Sequence, residues 1–463
     1  KMFKSVLPEM RKAFRLAPHI PSGLDQQERK YLGRITWPRS IYVYSVLLAA
    51  TLAYEGVRTQ AAYTTDALQH FEHPFEVSTV YKFNRELERN KRALRKAAGL
   101  PMFGKKADQL AAALQWVENR LVKLTTDAFI KEAPSIFPTF RTQQSDPATP
   151  KVRLVHIIPI VIWLMECIMF DDALTKTIET NQSRGEDLDV KLFYDRPQGI
   201  KKWVSAKYSN VVDWVNLDAT SYDASVDATE LANLVQFVCK DNVFSDKEIA
   251  YLQKANIVMP ERDIIRFGGM PSGSKITNYG DGWTNIQDLY EVLTRLGLAK
   301  FIVCILCNGD DITIGFSTKI TSQNLTKLSR YSRRTINPDK SVIGSYAWNS
   351  KWYIDDKIMS RPIWRVFNSI CYSEHVMDPR TGAKQYVALQ LAQQLEDVAE
   401  HPLGELFCKE VKRIDKYPLS TFGNNELMPY AEAFLDNHSY QAEWIGSPTD
   451  LVQRLQDGIY ATA

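Results

Sequence analysis

The chain has 463 residues, which is long for one compact core and suits roughly two or three joined subdomains. Hydrophobic residues make up 45% and charged residues 24%, which excludes a disordered chain. The net charge of +3 does not by itself mark a nucleic-acid binder, and six scattered cysteines fit a reducing compartment rather than a disulfide framework.

Residues 1–210 predict a mostly helical region that contains one strongly basic run. Lys82–Lys106 holds nine Lys or Arg and two Glu, a net charge of +7. A groove lined in this way would attract a phosphate backbone. The alternative is a solvated helix face with internal salt bridges.

Three later segments of this region have their own patterns. Ala107–Leu124 predicts a helix, and Ser145–Pro150 predicts a loop by its composition. Leu154–Phe170 is apolar, but it is short for a membrane span and contains a proline, a histidine and a glutamate. We therefore predict a buried core segment there, and we see no signal peptide at the N-terminus.

The middle of the chain changes to an α+β pattern. Val211–Leu217 predicts a strand and Val226–Lys240 a helix. Phe301–Cys307 and Ile312–Phe316 predict two strands of a hairpin. Asn308-Gly309 lies between them, and both residue types tolerate the positive φ that tight hairpin turns require.

Two weaker signals follow from the same reading. Cys304 and Cys307 form a lone C-x-x-C inside an apolar run, which favours buried strand residues over a zinc site. Beyond about Arg361 the chain is helical again, with Gln385–Ala399 as the best candidate. The whole pattern is a central α+β unit with helix-rich flanks.

The hairpin turn carries two adjacent carboxylates, Asp310 and Asp311. Adjacent carboxylates repel each other, and such pairs usually bind a divalent cation. Mg²⁺ in particular prefers hard oxygen ligands. The preceding Gly309 leaves room for the close approach of a ligand. An ordinary turn would also favour Gly and Asp, so the triplet alone leaves both interpretations open.

A second acidic pair, Asp218 and Asp223, follows the strand predicted at Val211–Leu217. A carboxylate at a strand end can face a hairpin turn on the neighbouring strand, so Asp218 can join Asp310 and Asp311 in holding two metal ions. Such an arrangement serves phosphoryl and nucleotidyl transfer. The alternative for Asp223 is the capping of a helix N-terminus.

The segment Gly268–Asn285 is rich in glycine and short polar side chains. It predicts an open backbone against which a nucleic acid can lie closely. The polar side chains able to hold a ribose hydroxyl are Ser272, Thr277, Asn278 and Asp281. The alternative is a plain glycine-rich loop that leads into a helix starting near Thr284.

These three elements occur in a recognisable order. They are D-x4-D (Asp218, Asp223), SG-x3-T-x3-D (Ser272, Gly273, Thr277, Asp281) and GDD (Gly309–Asp311). The order resembles motifs A, B and C of viral RNA-dependent RNA polymerases. The resemblance covers roughly Arg141 to Lys340.

Two further segments resemble other motifs of that family. Lys151 and Arg153, preceded by Arg141, look like motif F, whose basic strand contacts the incoming triphosphate. The segment Asn337–Ser341 looks like motif D, so the resemblance makes Lys340 a candidate proton donor to the pyrophosphate leaving group. The alternative for Lys340 is an ordinary surface lysine after a turn.

Asp281 departs from the pattern of many positive-strand viral polymerases, which have Asn there. Together with the NPDKS segment, it makes the chain look more like the polymerases of partitiviruses and picobirnaviruses. That subgroup implies a bisegmented double-stranded RNA genome, replication inside a capsid and initiation without a primer.

The resemblance also implies an architecture and a set of partners. The fold would be a right hand, with an N-terminal segment and fingers at residues 1–205, a palm with an antiparallel sheet at 206–357, and a thumb at 358–463. A fingers insertion would occupy about 241–270. Two Mg²⁺ ions (or Mn²⁺ as a substitute), template and product RNA, ribonucleoside triphosphates and viral capsid protein would be its partners, in the virion interior or the host cytoplasm.

Three other functions stay open at this point. A reverse transcriptase uses a similar palm but has an aromatic residue at the position of Asp223, whereas here the aromatic Tyr222 comes one place earlier. A non-catalytic RNA-binding or capsid-associated protein would need basic surfaces but no acidic triad. A metal-dependent nuclease would explain the carboxylates but not the serine-glycine element.

Overall fold

Helices dominate this computed structural model, which describes residues 2–17, 19–36, 44–56, 90–192, 197–239, 242–356, 359–372, 384–438 and 446–463. The helices are α1 (Met2–Ser5), α2 (Leu7–Leu16), α3 (Ser22–Tyr31), α4 (Tyr44–Leu52), α5 (Lys91–Leu94), α6 (Lys106–Trp116), α7 (Thr126–Glu132), α8 (Ile160–Arg184), α9 (Pro197–Tyr208), α10 (Tyr222–Ser225), α11 (Ala228–Cys239), α12 (Ser245–Lys254), α13 (Thr277–Arg295), α14 (Ser322–Tyr331), α15 (Ile363–Cys371), α16 (Lys384–Glu396), α17 (Gly404–Lys412), α18 (Asn424–Asn437), α19 (Pro448–Gln456) and α20 (Ile459–Thr462). The strands are β1 (Ile35–Thr36), β2 (Phe137–Thr142), β3 (Gln144–Ser145), β4 (Val152–Ile157), β5 (Val190–Leu192), β6 (Asp213–Leu217), β7 (Ile302–Asn308), β8 (Asp311–Phe316), β9 (Val342–Ile343), β10 (Ala347–Trp348), β11 (Lys351–Tyr353) and β12 (Met359–Ser360).

A five-stranded sheet with the order β5-β7-β8-β6-β9 forms the centre of the molecule. β5 runs parallel to β7, and every other neighbouring pair is antiparallel. The chain leaves β6 at the same edge where it turns from β7 into β8, because β6 and β8 are antiparallel neighbours. This edge brings the acidic segments together.

β7 is a continuous apolar run because both of its faces are covered. Cys304 and Cys307 lie on it as free thiols with 0% exposure. They are strand residues of the core, as predicted. Among the described residues, no set of three His, Cys, Asp or Glu side chains is arranged to hold a metal ion.

The helices follow their predicted segments with shifted ends. Ala107–Leu124 corresponds to α6, which continues into a π-helical turn at Val117–Leu121. The apolar stretch Leu154–Phe170 is the end of β4 followed by the buried first half of α8, as predicted for a core segment. Across the described parts of the chain, no helix combines the length and the apolarity needed to cross a membrane.

The described residues form two large apolar cores and a small third cluster of Leu24, Val342 and Trp352. The first large core joins the central sheet to the helices before and around it, and the second is formed by the C-terminal helices from α15 onward. Val6 and Met10 of the N-terminus, with 0% exposure each, belong to the C-terminal core. The first helices therefore pack across the fold, while the domain limits given above remain predictions.

Candidate active site

The strand register brings three aspartates to one edge of the central sheet. Leu217, the last residue of β6, pairs with Ile312 of β8. The next residues along these antiparallel strands are Asp218 and Asp311, which therefore lie opposite each other. Asp310 occupies the adjacent turn between β7 and β8.

The turn itself has a two-residue loop, Gly309-Asp310, because Asn308 and Asp311 form the last pair of the ladder. Of these residues only Gly309 has a positive φ, +64°. The predicted hairpin is confirmed, with Asn308 as the last residue of β7 and Gly309 alone in the positive-φ conformation. A glycine at the first loop position matches a turn that follows the strand twist.

Helix α13 holds this turn from behind. Asn278 Nδ2 donates to Asn308 Oδ1 at 3.1 Å, and Asn285 Nδ2 donates to the carbonyl oxygens of Gly309 and Asp310 at 3.2 and 3.3 Å. A Cβ atom on Gly309 would lie 2.6 Å from Asn278 Oδ1. The glycine is therefore needed for close approach as well as for its φ.

α13 begins at Thr277, not near Thr284, so half of the glycine-rich element is helical. A Cβ on Gly280 would lie 2.6 Å from Leu234 Cδ2, and one on Gly282 would lie 3.9 Å from Gly309 N. Gly280 therefore lets α13 pack closely on α11, whereas a Cβ at Gly282 would make only an ordinary van der Waals contact with the hairpin turn. The expectation of a loop as far as Thr284 was wrong, because the helix begins at Thr277 and close packing rather than backbone freedom requires Gly280.

The side chains of Asp310 and Asp311 are exposed to solvent at their tips. Many protein atoms nevertheless surround both carboxyl groups and reduce their solvation. Burial, with the neighbouring charge of Asp311, raises the pKa of Asp310 to about 7. Burial also raises the pKa of Asp311. The positive charge of Arg365 opposes this rise, and the negative charge of Asp218 adds to it. Such a site favours a cation that relieves the repulsion.

Asp223 and Asp281 form a second carboxyl pair beside the first. Asp281 is 4% exposed, and its Oδ1 has no hydrogen-bond partner among the described residues. Burial raises its pKa well above the usual range, and the charges of Asp223 and Asp310 add to this effect. The raised pKa favours the neutral form of Asp281, which lies within hydrogen-bond reach of Asp223. We call Asp223, Asp281, Asp310 and Asp311 the acidic cluster.

The serine-glycine element contacts the strand β4. The backbone N–H of His156 donates to Ser272 Oγ at 3.0 Å, and the Ser272 N–H donates to His156 Nδ1 at 3.1 Å. A Cβ on Gly273 would lie 1.9 Å from the His156 carbonyl oxygen. Thr277 Oγ1 donates to the Pro271 carbonyl at 2.7 Å. Ser272 and Thr277 thus fasten this element to its surroundings, and Asp281 lies near Asp223 and Asp310.

The basic residues of β2 and β4 face the acidic cluster. Arg141 and Arg153 are directly paired across the two strands, so their side chains leave the same face. Burial alone would lower the pKa of Arg153, but the acidic cluster, Asp310 foremost, raises it above its usual value. Burial lowers the pKa of Lys151, and the charge of Lys340 lowers it further, so these two ammonium groups are neighbours.

The NPDKS segment is tied to the backbone of Asp218. The Asn337 N–H donates to the Asp218 carbonyl oxygen at 3.0 Å, and the Asp218 N–H donates to Ser341 Oγ at 3.2 Å. Lys340 lies between these anchors with an exposed side chain. The loop therefore positions Asp218 and carries Lys340 to the same edge of the sheet.

The donor set fits Mg²⁺ in its chemistry. Asp218, Asp310 and Asp311 offer hard carboxylate oxygens at one edge, and their mutual repulsion calls for positive charge. They do not converge as a complete cage within the described residues. Mg²⁺ commonly completes its shell with waters and substrate phosphates, so convergence of protein ligands alone is not required.

The described part of the basic run, residues 90–106, makes contacts within the protein instead of lining the predicted groove. Residues 82–89 lie outside the described residues. Arg95 forms ion pairs with Glu432 (2.7 Å) and with Asp436 of α18, and Arg92 donates to the Gly446 carbonyl at 3.1 Å. Lys106 is buried. This part of the run joins residues 92–95 to the C-terminal part of the chain, so the salt-bridged alternative applies to it.

Several residues that the sequence pattern did not reveal complete the site. Asn285 holds the hairpin turn, and Arg365 of α15 acts electrostatically on Asp311 together with Lys30 of α3. Arg365 and Lys30 belong to no motif. They come from opposite ends of the chain, so only the fold brings them here.

The sheet, its acidic edge and the surrounding helices together form the right-hand fold of viral RNA-dependent RNA polymerases. An insertion-loop deletion mutant of the RNA-dependent RNA polymerase of a human picobirnavirus has this fold with a TM-score of 0.70 at 15% identity, covering 98% of this chain and 90% of that one. The crystal structure of the RNA-dependent RNA polymerase of a human picobirnavirus gives 0.59 at 14%, with 93% and 82% covered. No family model and no curated protein matches the sequence.

Proposed function

We propose that this chain synthesises RNA on an RNA template from ribonucleoside triphosphates and thereby replicates and transcribes a viral RNA genome. The observation that carries the proposal is the meeting of Asp218, Asp310 and Asp311 at one sheet edge, opposite Arg153 of the β2–β4 hairpin. Carboxylates on one side and a guanidinium on the other suit a metal-bound triphosphate. The similarity to picobirnavirus polymerases in fold adds support.

Two Mg²⁺ ions bound by Asp218, Asp310 and Asp311 would supply charge neutralisation at the attacking and leaving oxygens. Mn²⁺ would serve as a substitute. Arg141, Lys151 and Arg153 would bind the phosphates of the incoming nucleotide and orient them for attack by a 3′-hydroxyl. Lys340, beside Lys151, would then donate a proton to the pyrophosphate.

Selection of ribonucleotides would belong to Asp223 and Asp281. A proton held on Asp281 keeps Asp223 available to accept a hydrogen bond from the ribose 2′-hydroxyl. Tyr222 cannot block that hydroxyl as an aromatic residue in a reverse transcriptase would. It is 3% exposed and donates to the Asp281 carbonyl oxygen at 3.0 Å, so its ring lies in the core.

The remaining partners follow from the viral role. Base pairing with the template would determine the product sequence, while the protein contacts phosphates, so RNA binding would weaken with salt. Viral capsid protein would be a further partner, and the place of action would be the virion interior or the host cytoplasm. Initiation would need no primer, and the genome would be double-stranded RNA.

A template-directed assay tests this proposal. The protein is supplied with a defined RNA, Mg²⁺ and either ribo- or deoxyribonucleoside triphosphates, with and without a primer. We expect a product complementary to the template and a strong preference for ribonucleotides. A preference for deoxyribonucleotides would identify a reverse transcriptase, and loss of template without synthesis would identify a nuclease.

A further inference from the structure

A buried carboxylate on helix α8 contacts the serine-glycine element, although it belongs to none of the sequence motifs. Glu166 is 0% exposed. Ser274 Oγ donates to Glu166 Oε1 at 2.7 Å, and the backbone N–H of Lys275 donates to Glu166 Oε2 at 2.8 Å. Two consecutive residues of one segment therefore use both oxygens of this carboxylate.

These two hydrogen bonds distinguish Glu166 from its buried neighbour Glu248 of α12. Burial raises the pKa of Glu166, but the bonds from Lys275 and Ser274 oppose this rise. Neither carboxyl oxygen of Glu248 accepts a hydrogen bond from the described residues, and burial raises its pKa well above the usual range. Hydrogen bonds donated to a carboxyl group favour its charged form, so the negative charge of the pair is better placed on Glu166.

The side chain of Lys275 attaches the same segment to α8 a second time. Lys275 Nζ forms an ion pair with Asp171 Oδ1 at 2.5 Å and lies 5.7 Å from the centre of the Trp163 ring. Asn90 joins this contact, because its Oδ1 accepts from Lys275 Nζ and its Nδ2 donates to Asp171 Oδ2 at 2.8 Å. α8 thus holds both the backbone and the side chain of one residue.

The segment held in this way leads directly into α13. Its other end, Ser272, is bonded to β4, so residues 272–275 are held between a strand and a helix. α13 begins at Thr277, and Asp281 follows one turn later. The position of Lys275 therefore determines where the first turn of α13 lies, and with it the position of Asp281 beside Asp223.

We propose that Glu166 is a positioning residue for ribonucleotide selection, because it holds Ser274 and Lys275 and thereby places Asp281 beside Asp223. Glu166 is buried, so it acts through these residues and not on the substrate. If the first turn of α13 shifted, Asp223 would lose the neighbour that keeps it in place to accept a hydrogen bond from the ribose 2′-hydroxyl. The inference rests on the proposed function, which supplies the reaction that is selected.

Incorporation of single nucleotides by the full chain tests the inference. The ratio of kcat/KM for ATP to that for dATP opposite a template uridine is measured for the unaltered protein, Glu166→Gln and Ser274→Ala. Glutamine keeps the shape of glutamate but only one acceptor oxygen, so one of the two donors loses its partner. We expect the ratio to fall about fivefold to tenfold in Glu166→Gln and about threefold in Ser274→Ala, mainly through a higher KM for ATP.

Two further measurements separate positioning from general stability. The double variant Glu166→Gln/Ser274→Ala should lower the ratio no further than Glu166→Gln alone, because both changes act on one contact. Hydrogen exchange, which requires no synthesis, should become faster in Glu166→Gln at the backbone amides of residues 274–281. Thermal melting confirms that each variant is folded at the assay temperature, and Ser274→Ala carries the test if Glu166→Gln does not fold.

Asp213→Asn is the matched control. Asp213 is 6% exposed at the opposite end of β6 from Asp218, and its Oδ2 accepts the Ile320 N–H at 3.1 Å. This variant should lose stability but keep the ratio. An unchanged ratio in folded Glu166→Gln and Ser274→Ala would overturn the inference alone, and so would an equal fall in Asp213→Asn. If the unaltered protein incorporated neither nucleotide, the proposed function would fail first, and this inference with it.

Discussion

At the scale of single residues, the carboxyl pair Asp223 and Asp281 is the most informative part of the site. A nearly buried carboxyl beside two other acids is costly unless it keeps its proton. The raised pKa of Asp281 favours a neutral acid that would turn this repulsive pair into a donor and an acceptor. A hydrogen-bond acceptor held in place in this way can recognise a hydroxyl group of a substrate.

Ribose selection should therefore depend on Asp223. We expect Asp223→Ala to lower the ratio of kcat/KM for a ribonucleotide to that for the matching deoxyribonucleotide by about tenfold or more, because losing a hydrogen bond to a charged group costs about 1.5–3 kcal/mol. Single-nucleotide incorporation measures the ratio. Asp108→Ala, on the exposed start of α6, is the control. An unchanged ratio in Asp223→Ala would refute the role.

Predictability from sequence differs sharply among these residues. Asp218, Asp310 and Asp311 were predictable because two strand ends and a hairpin turn place them by local rules. Lys30 and Arg365 were not, because their proximity depends on the packing of α3 against α15. No local pattern records a contact between opposite ends of a chain.

At the scale of elements, the contact between the serine-glycine segment and β4 is the tightest in the site. The two backbones meet at Gly273, where any side chain would overlap the His156 carbonyl oxygen. Gly280 is different, because only the ends of flexible side chains surround it. The two glycines therefore have different tolerances although they belong to one sequence element.

Alanine substitutions at Gly273 and Gly280 should show the difference in how well the two positions tolerate a side chain. We expect Gly273→Ala to lower the free energy of unfolding by about 2–3 kcal/mol or more, since a backbone atom cannot move aside. Gly280→Ala should change it by only about 1 kcal/mol, because alanine favours the helix while the packing tightens. Urea denaturation measures both, and equal effects would contradict the assignment of Gly273 as the close contact.

A buried acid pair between α8 and α12 should make stability depend on pH. Glu166 and Glu248 are both fully buried and face each other, and burial raises the pKa of each. The native state keeps a proton that the unfolded chain releases above the usual carboxyl pKa. The free energy of unfolding should therefore fall as pH rises from about 5 toward the raised values.

Glu248→Gln tests this pH dependence. The amide does not titrate in this range, so the decline of stability with rising pH should become shallower. Thermal melting across the pH range, compared with the unaltered protein, measures it. Parallel curves for the two proteins would show that this pair does not control the decline.

At the level of elements, the positions of strands were easier to predict than the start of α13. The apolar runs of β7 and β8 define them within a residue or two. The glycines of Gly268–Asn285 suggested a loop as far as Thr284, because glycine disfavours isolated helices. Tertiary packing on α11 and the hairpin turn reversed that preference, which is invisible to a local pattern.

At the scale of the whole molecule, the N-terminal helices fasten the C-terminal core. Glu28 of α3 is 2% exposed and accepts hydrogen bonds from the backbone N–H groups of Ile363 and Trp364, the first residues of α15. His401 Nε2 lies 2.9 Å from Glu28 Oε1. One carboxylate thus caps a distant helix and aligns the region that carries Arg365.

Removing this cap should loosen the C-terminal core. We expect Glu28→Ala to lower the free energy of unfolding by about 3 kcal/mol, because two helix-terminal N–H groups and an imidazole lose their buried partner. Asp25→Ala, which breaks only a surface pair with Arg29 on the same helix, should cost less than about 1 kcal/mol. Urea denaturation measures the free energy of unfolding of both variants. Equal losses would show that the Glu28 cap stabilises the fold no more than the surface pair does.

The central claim is that Asp218, Asp310 and Asp311 carry out template-directed RNA synthesis. The most direct measurement is primer-independent and primed synthesis on one defined RNA by the unaltered protein, Asp310→Ala and the exposed control Asp108→Ala, each with Mg²⁺. We predict that Asp310→Ala loses at least about a hundredfold in rate while Asp108→Ala retains the unaltered rate. Full extension of RNA by Asp310→Ala would contradict the account.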